Sequence, residues 1–114
     1  MARAATTADV FNAVAEPQRR AILDALGSGE RPVGELVRAL ALPQPQVSKH
    51  LRVLREVGAV QVRGSGRLRL YRVNGPALKP IHDWIQGYER LWSDRFDALA
   101  DVLQELKARE GARP

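Results

Sequence analysis

The chain has 114 residues, of which 45% are apolar and 27% charged, with a net charge of +5. That length and balance fit one domain with a packed core and exclude a disordered chain. The absence of cysteine excludes a disulfide framework, a thiolate zinc site and a cysteine nucleophile. With no long apolar run to span a membrane and no charged-then-apolar leader, a cytoplasmic protein is expected.

The charge is unevenly spread. Residues 1–42 are neutral overall and residues 73–114 carry a net −1, whereas residues 43–72 hold Lys49, Arg52, Arg55, Arg63, Arg67, Arg69 and Arg72 against Glu56 alone. One short segment therefore carries all the positive excess, which suits a polyanionic partner.

In chain order, a short helix capped by Thr6 or Thr7 is predicted first, with Asp9 completing a capping box if Thr6 is the cap. Val10, Phe11 and Val14 give it an apolar side. Pro17 reads as the first residue of a second helix, where its missing N–H costs nothing. Ile22, Leu23 and Leu26 form its apolar face, and the run from Gly27 to Gly29 stops it. Val33, Leu36, Val37 and Leu40 predict a third helix. The Pro43–Pro45 break starts a fourth, with Val47, Leu51 and Leu54 on one face and Gly58 at its end.

From Val60 to Arg72 the period changes to alternation around Gly64, Ser65 and Gly66, which predicts a β-hairpin. The rest predicts one long amphipathic helix, entered through Asn74, Gly75 and Pro76 or at Pro80; from Pro80 to Ala108 it is about 43 Å at 1.5 Å per residue. The fold class expected is mainly α with a small β-hairpin, a winged helix-turn-helix with a long C-terminal dimerisation helix. The helix-turn-helix spans 33–57, the wing 60–73 and the last helix 76–108, in a single domain.

The two faces of the fourth helix carry the functional argument. With Val47, Leu51 and Leu54 inward, Ser48, Lys49 and Arg52 point outward and Gln44 sits at the exposed N-terminal end. An α-helix fits the major groove of double-stranded DNA, where such donors read base edges or hold phosphates. Arg63, Arg67 and Arg69 add cations to the hairpin. Arg67 and Arg69, two apart on one strand, form a single cationic edge suited to the DNA backbone or minor groove. Read alone, this is equally an ordinary solvated hairpin face; beside the fourth helix, the DNA reading leads.

The run from Gln46 through Val47, Ser48, Lys49, His50, Leu51 and Leu54 to Gly58 and Val60, then Arg63, Gly64, Gly66 and Tyr71, resembles the ArsR family of bacterial winged-helix repressors. Glu16, Pro17, Arg19, Arg20, Ile22 and Leu23 resemble the opening of that family's second helix. The resemblance covers roughly residues 8–106. It implies a homodimer on an inverted repeat that represses transcription until an effector releases it, with base contacts at Gln44, Gln46, Ser48 and Lys49. Pro45 stands where the family often has a small polar residue. His50 belongs to the motif and is assigned to packing or to a phosphate.

The family's metal sites are not matched. Where some members carry a Cys-x-Cys type pair, this chain reads Pro32, Val33, Gly34, Glu35 and Leu36. On the last helix His82 is the sole imidazole, with Asp94 and Asp97 further along, a poor transition-metal set. No metal or cofactor is expected, and the effector is left open between a small organic ligand, pH and none.

The last helix presents more apolar surface than a small body covers, so pairing with a second copy is expected. The dimer-interface candidates are Trp84, Ile85, Tyr88, Leu91, Trp92, Leu99 and Leu103, with Val10, Phe11 and Val14 from the first helix. The four serines and two histidines show no catalytic pattern, so no enzyme is expected. The alternative function is a winged-helix protein-interaction module that uses the Trp-rich last helix.

Overall fold

The computed structural model describes residues 9–111. In chain order the elements are α1 (Val10–Ala15), α2 (Pro17–Leu26), β1 (Glu30–Pro32), α3 (Val33–Leu40), α4 (Gln44–Glu56), β2 (Val60–Ser65) and β3 (Leu68–Val73). A 3-10 turn (Gly75–Leu78) then leads into α5 (Lys79–Gln86) and α6 (Glu89–Gly111). The architecture is mainly helical with one small antiparallel sheet, the winged helix-turn-helix expected from the sequence.

The predicted Thr6 or Thr7 cap lies outside the described residues. Asp9 is not a partner in a capping box: it is itself the N-cap of α1, its carboxylate accepting from the Asn12 N–H at 2.8 Å. Pro17 forces Glu16 into extended backbone and so separates α1 from α2. Two arginines of α2 then cover the open C-terminal carbonyls of α1. Arg19 Nε donates to Ala13 O, and Arg20 donates to Val14 O at 2.6 Å. Cations at a helix C-terminus satisfy its orphan acceptors and oppose its dipole.

The turn from α3 to α4 passes through Ala41, which is left-handed (φ 53°) without being glycine. Pro43 caps α4 without a side-chain hydrogen bond, and Pro45 lies in its first turn. Ile22, Leu36, Val47, Leu51 and Leu54 are fully buried and join α2, α3 and α4 in one core. Each such side chain stabilises the fold by about 1.5–3 kcal/mol relative to exposure.

The sheet has one strand more than predicted. β1 pairs antiparallel with β3, Glu30 opposite Arg72 and Pro32 opposite Leu70, so the order is β1-β3-β2. Three residues carry too little periodicity to mark a strand, and Pro32 is tolerated only because β1 is an edge. The hairpin turn also lies further on than predicted. Gly64 pairs with Arg69 and Ser65 with Leu68, leaving Gly66 and Arg67 as a two-residue turn with Gly66 at φ 63°. A short hairpin turn favours positive φ, and glycine supplies it. Arg67 is therefore at the tip rather than on the strand, although it still lines one cleft with Arg69.

The predicted single last helix is two. After α5, the N–H groups of Gly87 and Tyr88 bond to Trp84 O and Ile85 O, three residues back, and α6 starts at Glu89. Glycine lowers helix propensity by about 1 kcal/mol, and the tightened bonds mark where the α ladder breaks. The chain divides into two compact units, residues 1–81 and residues 82–114. The first holds the core, the helix-turn-helix and the wing. In the second, Trp84 and Tyr88 meet edge to face at 5.6 Å, and α6 buries no side chain. Among the described residues, no helix is long and apolar enough to cross a membrane.

Candidate nucleic-acid interface

α4 projects its polar side because its apolar side is committed to the core. Val47, Leu51 and Leu54 face inward, whereas Gln44, Ser48, Lys49 and Arg52 are exposed. β3 lies beside that exposed side. Pro45, Ser48, Lys49, Arg52 and Arg55 from α4, with Arg69 and Tyr71 from β3, line one open cleft. Ser48, Arg69 and Tyr71 also line the neighbouring cleft, which reaches the wing tip at Arg67 and Leu68 and the start of α3 at Val33 and Glu35. None of Lys49, Arg52, Arg55, Arg67 and Arg69 is paired with a carboxylate among the described residues. Four cations converge on the first cleft with no anion lining it, an arrangement that favours a polyanion.

Arg55 was missed by the sequence reading. Its signal was available, because Ser48, Arg52 and Arg55 follow at four and three residues along one helix face.

The sheet's alternation separates the wing arginines. Val60, Val62, Gly64, Arg69, Tyr71 and Val73 share one face by register, and Tyr71 and Val73 pack on the core. Arg69 is therefore turned toward α4. Arg63 falls on the opposite face with Arg72 and Gln61, and there it meets β1. Its Nε and NH2 donate to the two carboxylate oxygens of Glu30 at 2.7 and 2.9 Å. This fork geometry holds the Glu30 carboxyl below the usual carboxylate range, chiefly through the Arg63 hydrogen bond, and raises the Arg63 guanidinium in turn. Arg63, expected at DNA, instead ties β2 to β1 across the central strand.

Of the two roles expected for His50 the structure shows packing, whereas Gln46 departs from its expected base contact. His50 is 9% exposed, so it does not share the outward face of Ser48 and Lys49. It lies three residues after Val47 and four before Leu54, which is core spacing. Its Nε2 is 2.8 Å from Gln18 Oε1, and Gln46 Nε2 donates to the same oxygen at 2.6 Å. Gln46 is thus turned toward α2. Burial pushes the His50 pKa down, Arg19 and Lys49 push it the same way, and Glu16 opposes them.

Of the dimer-interface candidates, Val10 packs in the core of its own unit at 8% exposure, because α1 turns Val10 and Ala13 inward. Phe11, Trp84, Tyr88, Leu91, Trp92, Leu99 and Leu103 are exposed, as is Phe96, while Val14 and Ile85 are half-buried. Among the described residues, no cluster of three or more His, Cys, Asp or Glu is placed to hold a metal.

Comparison with known proteins places this geometry. Residues 14–63 match the model of a helix-turn-helix domain. The HTH-type transcriptional regulator Rv2034 of Mycobacterium tuberculosis is 32% identical over 93 residues, covering 82% of this chain and 84% of the relative. The HTH-type transcriptional repressor SmtB of the same species is 46% identical over 65 residues, covering 57% of this chain and 48% of that protein. The solution structure of a homodimeric winged helix-turn-helix DNA-binding domain from Mycobacterium bovis, a possible ArsR-family regulator, aligns with a TM-score of 0.58 at 30% identity. It covers 71% of this chain and 75% of that one. These relatives are regulators of transcription rather than enzymes, in line with the lack of a catalytic pattern in the sequence. The chain belongs to the ArsR family of winged helix-turn-helix transcriptional regulators.

Proposed function

We propose that this protein is a homodimeric repressor that binds an inverted-repeat operator in double-stranded DNA. α4 enters the major groove, with Gln44, Ser48 and Lys49 at base edges and Arg52 and Arg55 on phosphates. Arg69 and the tip residue Arg67 hold the adjoining backbone. The observation that carries this reading is the cleft between α4 and β3, which joins Lys49, Arg52, Arg55 and Arg69 without a lining carboxylate. Supporting it are the transcriptional repressors among the relatives and the homodimeric DNA-binding domain among the structural neighbours.

The dimer is assigned to the exposed apolar side chains of α5 and α6, with Phe11 and Val14 of α1. Trp92, Phe96, Leu99, Leu103 and Leu106 follow one another at four and three residues, the spacing of a helix–helix seam, and each is at least half exposed in the protomer. Pairing would bury that seam. A two-fold dimer presents two copies of α4 to successive major grooves about 34 Å apart.

Fluorescence anisotropy tests the proposal, with the protein titrated onto duplex DNA from upstream of its own gene and onto a scrambled duplex of equal length. Tight selective binding at one dimer per site supports it. Equal weak binding to both duplexes refutes operator recognition, and a monomer at micromolar concentration in light scattering refutes the assembly.

A further inference from the structure

We propose that Gln18, a residue of α2 that does not belong to the basic cleft, is a positioning residue for DNA recognition: its side-chain carbonyl clamps Gln46 and His50 and so sets the rotation of α4. This rests on α4 being the DNA-reading helix. Gln46 and His50 are four residues apart, so they stack on one side of α4, and Gln18 Oε1 receives both of them at 2.6 and 2.8 Å. A carbonyl oxygen has two lone pairs, so this acceptor is filled.

The clamp also defines the state of His50. An amide oxygen only accepts, so His50 Nε2 carries the proton and Nδ1 is bare. Nδ1 is buried without a hydrogen-bond partner, so a second proton there would be an unsatisfied buried donor. The titratable and charged groups around the imidazole are Glu16 and Arg19 from the start of α2 and Lys49 on α4. The clamp is therefore made by neutral groups.

α4 needs such a fixture. No side chain caps its N-terminus, and its first turn contains Pro45. Val47, Leu51 and Leu54 hold the helix down, but an apolar contact is non-directional and tolerates small rotations. The Gln18 link is directional, and it acts at the turn from which Gln44 and Ser48 project on the other side. An error of about 1 Å at a base edge breaks a hydrogen bond.

The test uses a duplex enriched from a random library by the wild-type protein, a scrambled duplex, and the variants Gln18→Met and Gln18→Glu. Gln18→Met removes the acceptor at similar volume. The ratio of enriched to scrambled affinity is expected to fall about tenfold, with the salt dependence unchanged because no phosphate contact is lost. Gln18→Glu keeps both hydrogen bonds and lowers binding to both duplexes alike, so the ratio holds within about twofold. In the same variant the His50 titration midpoint, read by NMR, rises because a carboxylate faces Nε2.

A wild-type ratio in Gln18→Met overturns the proposal, as does an unmoved His50 midpoint or a lost ratio in Gln18→Glu. If Gln18→Met does not fold, the two Gln18→Glu readouts decide the matter. Failure of the wild-type protein to enrich any sequence overturns the DNA reading itself, and this proposal with it.

Discussion

Replacing Arg52 and Arg69 together by Gln tests whether the cleft between α4 and β3 is where DNA phosphates lie. Both side chains are exposed, both line that cleft, and neither has a carboxylate partner among the described residues. A dimer would lose four cations. Each neutralised phosphate contributes about 0.9 to the slope of log K against log salt, so the slope should become shallower by about 3.6. Between 50 and 200 mM salt, the fall in wild-type affinity should exceed the fall in the variant by roughly 150-fold. The control is Arg63→Gln, which removes the same charge from the opposite face of the sheet, where Glu30 already holds it. Its slope should match wild type. Anisotropy titrations at four or five salt concentrations give both slopes. A slope change in Arg63→Gln equal to that of a cleft arginine, or an unchanged slope in the double variant, would refute this placement of the DNA backbone.

Three further outcomes follow from the packing. Leu36→Ala, at a fully buried position shared by α3 and the core, should destabilise the fold by about 2–5 kcal/mol in urea unfolding; a loss under about 1 kcal/mol would contradict the close packing. Trp92→Glu with Phe96→Glu, on an exposed seam, should convert the dimer to monomer in light scattering while the helical circular dichroism of the first unit persists. The neutral, buried His50 has a pKa held below its ordinary 6.5, so above pH 6.5 its contribution to stability is complete. As pH falls from 6.5 toward the lowered folded-state value, the unfolded chain binds a proton that the folded chain does not, and stability drops until that value is passed. His50→Gln should flatten that part of the stability-against-pH curve, and an unchanged curve would show that the imbalance lies elsewhere.

Much of the fold was legible because local chemistry and global packing agree. Pro17 dictated the end of α1, the spacing of Val33, Leu36, Val37 and Leu40 marked α3 from end to end, and alternation around glycines marked the hairpin. The charge imbalance of residues 43–72 marked the segment that supplies the basic cleft, to which Lys49, Arg52, Arg55 and Arg69 all belong. Family resemblance rested on short runs, from Glu16 to Leu23 and from Gln46 to Val60, with Arg63, Gly64, Gly66 and Tyr71 of the hairpin.

What escaped the sequence was whatever depends on a partner distant along the chain. β1 exists only because β3 offers Glu30, Arg31 and Pro32 a ladder. Arg63 is withheld from the cleft face because the register turns it away and Glu30, 33 residues earlier, meets it there. Gln46 reads as a groove-facing residue, and His50 as one that packs or touches a phosphate, until Gln18, across the helix interface, claims both. Periodicity states which side of a helix or strand a residue occupies. It does not state what stands opposite, and hydrogen bonds and ion pairs are decided by that neighbour. Composition and spacing therefore determined the elements, their order and the location of the basic surface. Tertiary structure alone decided which of its polar side chains stay exposed at the cleft and which are engaged by other side chains of the fold.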